Sequence, residues 1–182
     1  MRFALLVFGL LLAAAAQAQQ PAVQQKAGTA ADGTRYYEDS LVIHAPAHRL
    51  FEAFTDAATY KSWSGVPIAA IDFRVDGAVE AAYDPSGRIG DPQNVKNALV
   101  AYVPDRLLAY RNVQAPDMLP GKADYPKTAK TVEFDAIDAD TTRVTVSGVG
   151  FGLGEGFDKL YAFFSGGDAA MLVQLKKAME KP

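Results

Sequence analysis

The stretch that decides the fold lies near the end of the chain: Glu155–Lys181, EGFDKLYAFFSGGDAAMLVQLKKAMEK. Its apolar residues recur at spacings of three and four, the periodicity of one face of an α-helix. They are Phe157, Leu160, Tyr161, Phe164, Met171, Leu172, Leu175 and Met179. Lysines cluster near its end, where cations interact favourably with the helix dipole. The pattern predicts a long amphipathic helix that covers an apolar surface elsewhere in the protein.

This predicted helix contains a weak point at Gly166-Gly167, because glycine is a poor helix former. We expect a kink or a short break there, after which the side chain of Asp168 caps the second half. Asp168 also falls on the apolar stripe, so the alternative is a polar group that points into the interior of the protein.

Ahead of this helix the period of the sequence changes from 3.6 to 2, which is typical of strands with one buried face and one solvated face. Apolar and polar residues alternate over segments 71–75, 79–83, 132–136 and 143–147. Ala98–Val103 and Leu107–Asn112 are further candidate strands, joined by the turn pair Pro104-Asp105. The connections are too short for crossover helices, so we predict an antiparallel meander.

Two short helices are predicted after the first strand. Leu41–Ala45 is β-branched and apolar, as in a strand, and Pro46 suits the first turn of the helix that follows. That helix covers Ala47–Thr55, and Asp56 caps a second one that runs through Trp63. The predicted fold class is therefore α+β, with a curved antiparallel sheet wrapped around the long C-terminal helix.

The beginning of the chain is predicted to be a targeting segment. Arg2 precedes an uncharged apolar run, and Ala16-Gln17-Ala18 matches a small-x-small cleavage pattern. The run is shorter than the roughly 20 residues of a membrane span, so we expect no integral membrane anchor after cleavage. We predict a signal peptide over 1–18, cut after Ala18, a flexible leader over 19–35 and one domain over 36–182. The mature protein is then periplasmic or secreted.

Composition excludes several classes of function. Of the 182 residues 49% are hydrophobic, which is typical of a globular protein, and none is cysteine, so there is no disulfide, thiolate metal site or cysteine nucleophile. The net charge of −3 makes nucleic acid an unfavourable partner. His44 and His48 have the i, i+4 spacing of a metal pair, but Pro46 between them prevents a shared helical face. No catalytic residue, metal or cofactor is therefore predicted.

Alternating glycines follow the last predicted strand. Gly148 and Gly150 continue the face of Val144 and Val146, so the inner surface of the sheet lacks side chains there. Either a closely approaching helix fills that volume or a cavity remains. The loops 84–94 and 114–128, rich in proline and glycine, are either the rim of a binding site or plain surface excursions.

Ordered motifs along the chain carry a resemblance to a known family. They are Val42–Pro46, Leu50–Asp56, Tyr60, Trp63, Val103–Leu108, Thr141–Val146, Gly154–Asp158 and Tyr161. The chain resembles the START-like superfamily, also called helix-grip or SRPBCC, in the branch related to the activator of the heat-shock ATPase and to polyketide cyclase/dehydrase proteins. The resemblance spans Leu41 to Lys181. The apparent export signal, the 114–128 insertion and Gly166-Gly167 depart from the family pattern.

The resemblance implies a domain that binds a small hydrophobic molecule or lipid between the sheet and the last helix. The residues expected to contact this ligand are Phe54, Trp63, Phe73, Val79, Ala81, Tyr83, Tyr110, Phe134, Val146, Gly148, Gly150, Tyr161, Phe164 and Leu172. Two alternatives stay open. One is a cyclase/dehydrase-like enzyme that uses pocket acids or tyrosines, and the other is an envelope protein-interaction module without a ligand, whose protein partner the sequence leaves unknown.

Overall fold

The computed structural model describes residues 23–180, which form one curved sheet, three α-helices and a short 3-10 helix. The strands are β1 Gln24–Thr29, β2 Arg35–Ile43, β3 Ile68–Ile71, β4 Ala78–Ala82, β5 Val95–Val103, β6 Leu107–Gln114, β7 Ala129–Ala136 and β8 Thr142–Phe151. The helices are α1 Ala47–Thr55, α2 Ala57–Ser64, α3 Glu155–Met179 and the 3-10 helix Lys122–Lys127. The predicted signal peptide over 1–18 lies outside the described residues.

All neighbouring strands are antiparallel, in the order β1-β2-β8-β7-β6-β5-β4-β3. From β3 to β8 the sheet is the predicted meander, and β2 then joins along the outer edge of β8. The α+β class, the long C-terminal helix and the two short helices before the meander are confirmed.

Helix α3 covers only part of the concave face of the sheet. It packs mainly on β2 and β8, on α2 and on the 3-10 helix. Its residues Leu172 and Leu175 are fully buried with Val144 and Val146 of β8 in the main core. The inner faces of β4, β5 and β6 are therefore covered less closely than those of β2 and β8.

The two short helices close one end of the concave face. Helix α1 buries Leu50, Phe51 and Phe54. Asp56 caps α2 as predicted, because its side chain accepts a hydrogen bond from the backbone N–H of Thr59 at 2.8 Å.

The predicted break in the last helix is wrong, since α3 runs without interruption through Gly166 and Gly167. Both glycines are exposed, and the buried residues on either side hold the helix against the sheet. Packing of an apolar face therefore outweighs the intrinsic cost of glycine, about 1 kcal/mol per residue. Asp168 is not a cap but a buried residue in mid-helix.

The predicted flexible leader is also wrong in part, because Gln24–Thr29 forms β1 and pairs with β2 along its whole length. Most of β1 is exposed, so its sequence carries no apolar alternation that a pattern search could detect. The strand forms because the free edge of β2 offers unpaired backbone groups.

The strand predicted at 71–75 is another error. Strand β3 ends at Ile71, and the chain then turns through Asp76, whose φ of 63° is outside the strand region.

The alternation over 79–83 predicts that Glu80 faces solvent, but its side chain is only 7% exposed because the 84–94 loop covers it. Its carboxylate accepts hydrogen bonds from Gly90 N at 2.5 Å and Asn94 Nδ2 at 2.6 Å.

The 114–128 loop is packed rather than a plain surface excursion. Leu119 and Tyr125 are buried against Leu160 of α3 in a second apolar cluster. This loop closes the end of the concave face opposite α1 and α2, and the lateral space between α3 and β4–β6 remains.

Candidate ligand-binding cavity

A cavity of about 80 Å³, partly open to solvent, lies in that lateral space. Every layer of the fold contributes to its wall: α1, α2 and α3 on one side, and β4, β5, β6 and β7 on the other. The lining residues are Phe54, Tyr60, Val79, Asn97, Tyr110, Lys130, Val132 and Met171. The cavity is therefore bounded by apolar walls with a few polar side chains among them, the usual composition of a small-molecule site.

The apolar wall is held rigid by aromatic packing behind it. The ring of Phe54 contacts those of Trp63 and Phe134, at centroid distances of 5.2 and 5.8 Å. The indole N–H of Trp63 donates to the carbonyl of Ala53 at 2.7 Å, which ties α2 to α1. Such edge-on and tilted contacts fix the ring positions, so this side of the cavity is preformed.

Two tyrosine hydroxyls on the cavity wall are free to bond to a ligand. Neither the Tyr60 nor the Tyr110 hydroxyl has a hydrogen-bond partner within residues 23–180. Burial raises the pKa of both phenols above the usual value of 10. Both are therefore neutral near pH 7 and are available to donate or accept a hydrogen bond.

Asn97 adds an amide to the same wall. Its Oδ1 accepts a hydrogen bond from the Tyr125 hydroxyl at 2.6 Å, which anchors the side chain from behind. Its Nδ2 makes no hydrogen bond to another described residue. The amide N–H bonds are thus free donors beside the cavity.

A largely buried ion pair lies beside the cavity, because Lys130 is one of the residues that line it. Lys130 Nζ lies 2.6 Å from Asp168 Oδ1, and the Tyr37 hydroxyl donates to Asp168 Oδ2 at 2.6 Å. The side chains of Lys130 and Asp168 are 20% and 6% exposed. Both oxygens of the carboxylate are therefore occupied, and burial, followed by the charge of Asp168, raises the pKa of the Tyr37 phenol so that it stays a donor.

Gly148 explains how this cluster is assembled. It pairs with Tyr37 on β2 and with Lys130 on β7, so the three residues lie side by side on the concave face. A Cβ at position 148 would come within 2.5 Å of Cζ of the Tyr37 ring. The missing side chain thus lets the Tyr37 ring lie across β8 and reach Asp168.

The two predicted explanations of the glycines, a close helix or an open cavity, therefore both fail. Tyr37 fills the volume at Gly148, and β8 does not stay regular as far as Gly150, whose φ is +83°. A Cβ at Gly150 would lie 2.9 Å from the carbonyl oxygen of Lys127 in the 114–128 loop. Neither glycine lines the cavity.

A second buried acid lies close to the ion pair. Asp39 on β2 is 0% exposed, and its Oδ1 accepts a hydrogen bond from Gln25 Nε2 at 2.9 Å. Its Oδ2 has no partner within the described part of the chain. Burial, and secondarily the charge of Asp168, raises the pKa of this carboxyl above its usual value, and Lys130 opposes the shift.

We expect Asp39→Asn to remove a pH-dependent loss of stability. A carboxyl with a raised pKa favours folding most below its unfolded pKa, and this contribution is lost as pH rises through the higher folded pKa. The difference in free energy of unfolding, Asp39→Asn minus wild type, should therefore increase from about pH 4 upward and then level off. Each unit of pKa difference corresponds to about 1.4 kcal/mol. Urea titrations at several pH values measure it, and a difference that stays flat or falls contradicts the assignment.

The structure distributes the sequence-predicted ligand contacts over four locations. Phe54, Val79 and Tyr110 line the cavity. Trp63, Ala81, Phe134, Val146 and Leu172 are buried but do not line it, whereas Tyr161 and Phe164 belong to the second apolar cluster. Phe73 and Tyr83 are 36% and 65% exposed. That any of these residues touches a ligand stays a prediction.

Sequence reasoning missed Tyr60, Asn97, Lys130, Val132 and Met171. Three of them carried a usable signal. Lys130 and Val132 share the period-2 face of Phe134, and Met171 falls on the helical stripe. A lysine on an inward face is unusual, so the position of Lys130 in this alternation is the weakest of the three signals.

The described residues also set limits on other kinds of site. Within 23–180, His, Asp and Glu side chains form no group of three that could hold a metal ion. Among the helices of that part of the chain, none has the length and apolar character of a membrane span.

Comparisons with known proteins agree with this architecture. The family described as Activator of Hsp90 ATPase homolog 1-like protein matches residues 44–180. A conserved protein of unknown function from Enterococcus faecalis is similar in structure, with a TM-score of 0.63, 16% identity and coverage of 87% of this chain and 78% of that chain. No curated protein matches the chain significantly.

Two further solved structures have the same fold. The Aha1 dimer from Colwellia psychrerythraea has a TM-score of 0.60 and 15% identity, over 79% of this chain and 94% of that one. The di-domain ARO/CYC protein BexL from the BE-7585A biosynthetic pathway has a TM-score of 0.62 and 13% identity, over 80% of this chain and 46% of that one. At these identities the likeness establishes the fold.

Proposed function

The chain belongs to the family of Activator of Hsp90 ATPase homolog 1-like proteins, and from that premise we propose that it binds a small hydrophobic or lipidic molecule in the cavity. The observation that carries the proposal is a pair of hydroxyls without hydrogen-bond partners in the described residues, those of Tyr60 and Tyr110, on a largely apolar wall that opens to solvent. Both hydroxyls can therefore bond to a ligand that enters through the opening, in place of solvent.

The size of the cavity restricts the shape of the ligand. Its volume of about 80 Å³ is well below the roughly 300–1,000 Å³ of a site that encloses a drug-sized molecule. It accommodates one narrow end of a ligand, such as a single polar group with a few carbons, and the rest extends through the opening. Burying about 200 Å² of apolar ligand surface would contribute up to ~5 kcal/mol before the costs of association.

A cavity-filling variant tests the proposal. Val79→Phe places a larger side chain in the wall and should weaken binding of a fluorescently labelled fatty amide at least tenfold. Val100→Phe is the matched control, because Val100 is 51% exposed on β5 and does not line the cavity. Equal binding by both variants, or no binding by the wild type, would contradict the proposal.

We further propose that the domain works outside the cytoplasm, after removal of residues 1–18. The apolar run and the Ala16-Gln17-Ala18 pattern support this location. Mass spectrometry of the protein isolated from its native cells should find an N-terminus at Gln19. An intact Met1 on the cytoplasmic protein would overturn this part.

A cyclase/dehydrase-like reaction is the second candidate function, and the cavity side chains favour it specifically. Tyr60, Tyr110 and Lys130 bring hydroxyl and ammonium donors to one apolar space, where such groups can polarise a carbonyl. The solved relative BexL is described as an ARO/CYC protein. Turnover of a polyketone by the wild type that is lost in Tyr110→Phe would support this function, whereas binding without turnover supports the first.

A further inference from the structure

We infer that the cavity selects a neutral hydrogen-bond acceptor, such as an amide or ketone carbonyl, over a carboxylate, and that Asp168 sets this preference. The inference rests on the proposed function, because it specifies the class of ligand that the same cavity takes. It depends on two properties of the cavity: the hydrogen-bonding character of the free polar groups on its wall, and the net charge of the cluster formed by Lys130, Asp168 and Asp39.

The free polar groups can all donate hydrogen bonds. The Asn97 amide nitrogen and the Lys130 ammonium can only donate, and the hydroxyls of Tyr60 and Tyr110 can do either. One N–H of Lys130 is used by Asp168, and the ammonium makes no other hydrogen bond within residues 23–180. A ligand atom that satisfies several of these groups at once must therefore be an acceptor.

The charge of the cluster decides between neutral and anionic acceptors. The Lys130 cation is compensated by Asp168 at 2.6 Å, and Asp39 interacts with both of them. With one ammonium and two carboxyl groups, the cluster is neutral when Asp39 is protonated and carries −1 when Asp39 is ionised. It never offers a net positive charge to an incoming carboxylate, whose desolvation would go uncompensated.

Asp168 controls this balance because it supplies the charge opposite Lys130. Asp168→Asn keeps the size of the side chain and an oxygen that can accept from the Tyr37 hydroxyl. It removes one negative charge, so that the cluster has a net charge of +1 when Asp39 is protonated and of zero when Asp39 is ionised. In either state the cluster is one unit more positive than in the wild type, so the variant should bind a carboxylate more tightly than the wild type does.

Octanamide and octanoate form a matched pair of probes, which have the same chain and differ in the charge of the polar end. Their affinities are measured at pH 7.5 by NMR titration of the wild type, Asp168→Asn and Lys130→Met. The wild type should bind octanamide at least tenfold more tightly than octanoate, and Asp168→Asn should shift this ratio at least tenfold toward octanoate. Lys130→Met should shift it the other way. Glu155→Gln, an exposed acid of the same helix, is the control and should leave the ratio unchanged.

Three results would overturn the inference. The first is a wild type that binds octanoate as tightly as octanamide. The second is a ratio that stays the same in folded Asp168→Asn. If Asp168→Asn does not fold, the wild-type ratio and the opposite shift in Lys130→Met decide the question. The third, no binding of either probe to any protein, overturns the proposed function, and the inference falls with it, so the two failures can be distinguished.

Discussion

Gly148→Ala is expected to lower the free energy of unfolding by about 2–3 kcal/mol. The added methyl group would lie within 2.5 Å of Cζ and 2.6 Å of the hydroxyl oxygen of Tyr37. The Tyr37 ring cannot move aside easily, because it is 2% exposed, contacts the rings of Phe151 and Tyr161, and is held by Asp168. The variant must therefore either strain this packing or break the hydrogen bond to Asp168.

Urea unfolding measures the loss, and Gly166→Ala is the matched control. Gly166 is exposed in mid-helix, and no atom lies within 4 Å of its Cβ position. The same substitution should therefore be neutral or stabilise by up to about 1 kcal/mol there. In a Tyr37→Ala background the Gly148→Ala penalty should largely disappear. An equal penalty in both backgrounds would mean that the Tyr37 ring is not the cause.

Lys130→Met is expected to destabilise the fold by about 3 kcal/mol, at the low end for breaking a buried ion pair because Lys130 is 20% exposed. The substitution keeps most of the volume and the apolar stem of the side chain. It leaves the Asp168 carboxylate, which is 6% exposed, with the Tyr37 hydroxyl as its one remaining hydrogen-bond donor in the described structure. The cost therefore comes from an uncompensated buried charge.

Lys159→Met is the control, because Lys159 forms an exposed pair with Glu155 on the same helix. Its loss should cost less than about 0.5 kcal/mol. Adding Asp168→Leu to Lys130→Met should recover part of the lost stability, since neither charge of the pair is then left in the interior. If the double variant loses the sum of the two single losses, the residues do not interact as described.

The sequence predicts the class of fold well because its signals are local. Alternating residues such as Val144 and Val146, and the helical spacing of Leu160, Phe164 and Leu172, place each element independently of its partners. The predictions fail where packing against another part of the chain determines the local structure. Strand β1 exists because β2 has a free edge, and Gly166-Gly167 stays helical because residues on both sides are packed.

The candidate site was predicted less completely for the same reason. Phe54, Val79 and Tyr110 follow from periodicity alone, which marks apolar inward positions. Lys130 and Asp168 are inward charges, and each is acceptable only because the other lies 2.6 Å away on a distant part of the chain. A single-sequence pattern cannot show this pairing, and it therefore leaves two interpretations of Asp168 open, a helix cap and a polar group that points into the interior.

Strand β1 has a practical consequence for anyone who trims this protein. A chain cut at residue 36, where the sequence suggested that the domain begins, would lose the whole strand and the Gln25 amide that bonds to Asp39. The backbone of β2 would then become an open edge able to recruit strands from other molecules. A chain that begins at residue 19, after the proposed cleavage site, keeps residues 19–23 ahead of Gln24 and so preserves a sheet that a shorter fragment would leave prone to self-association.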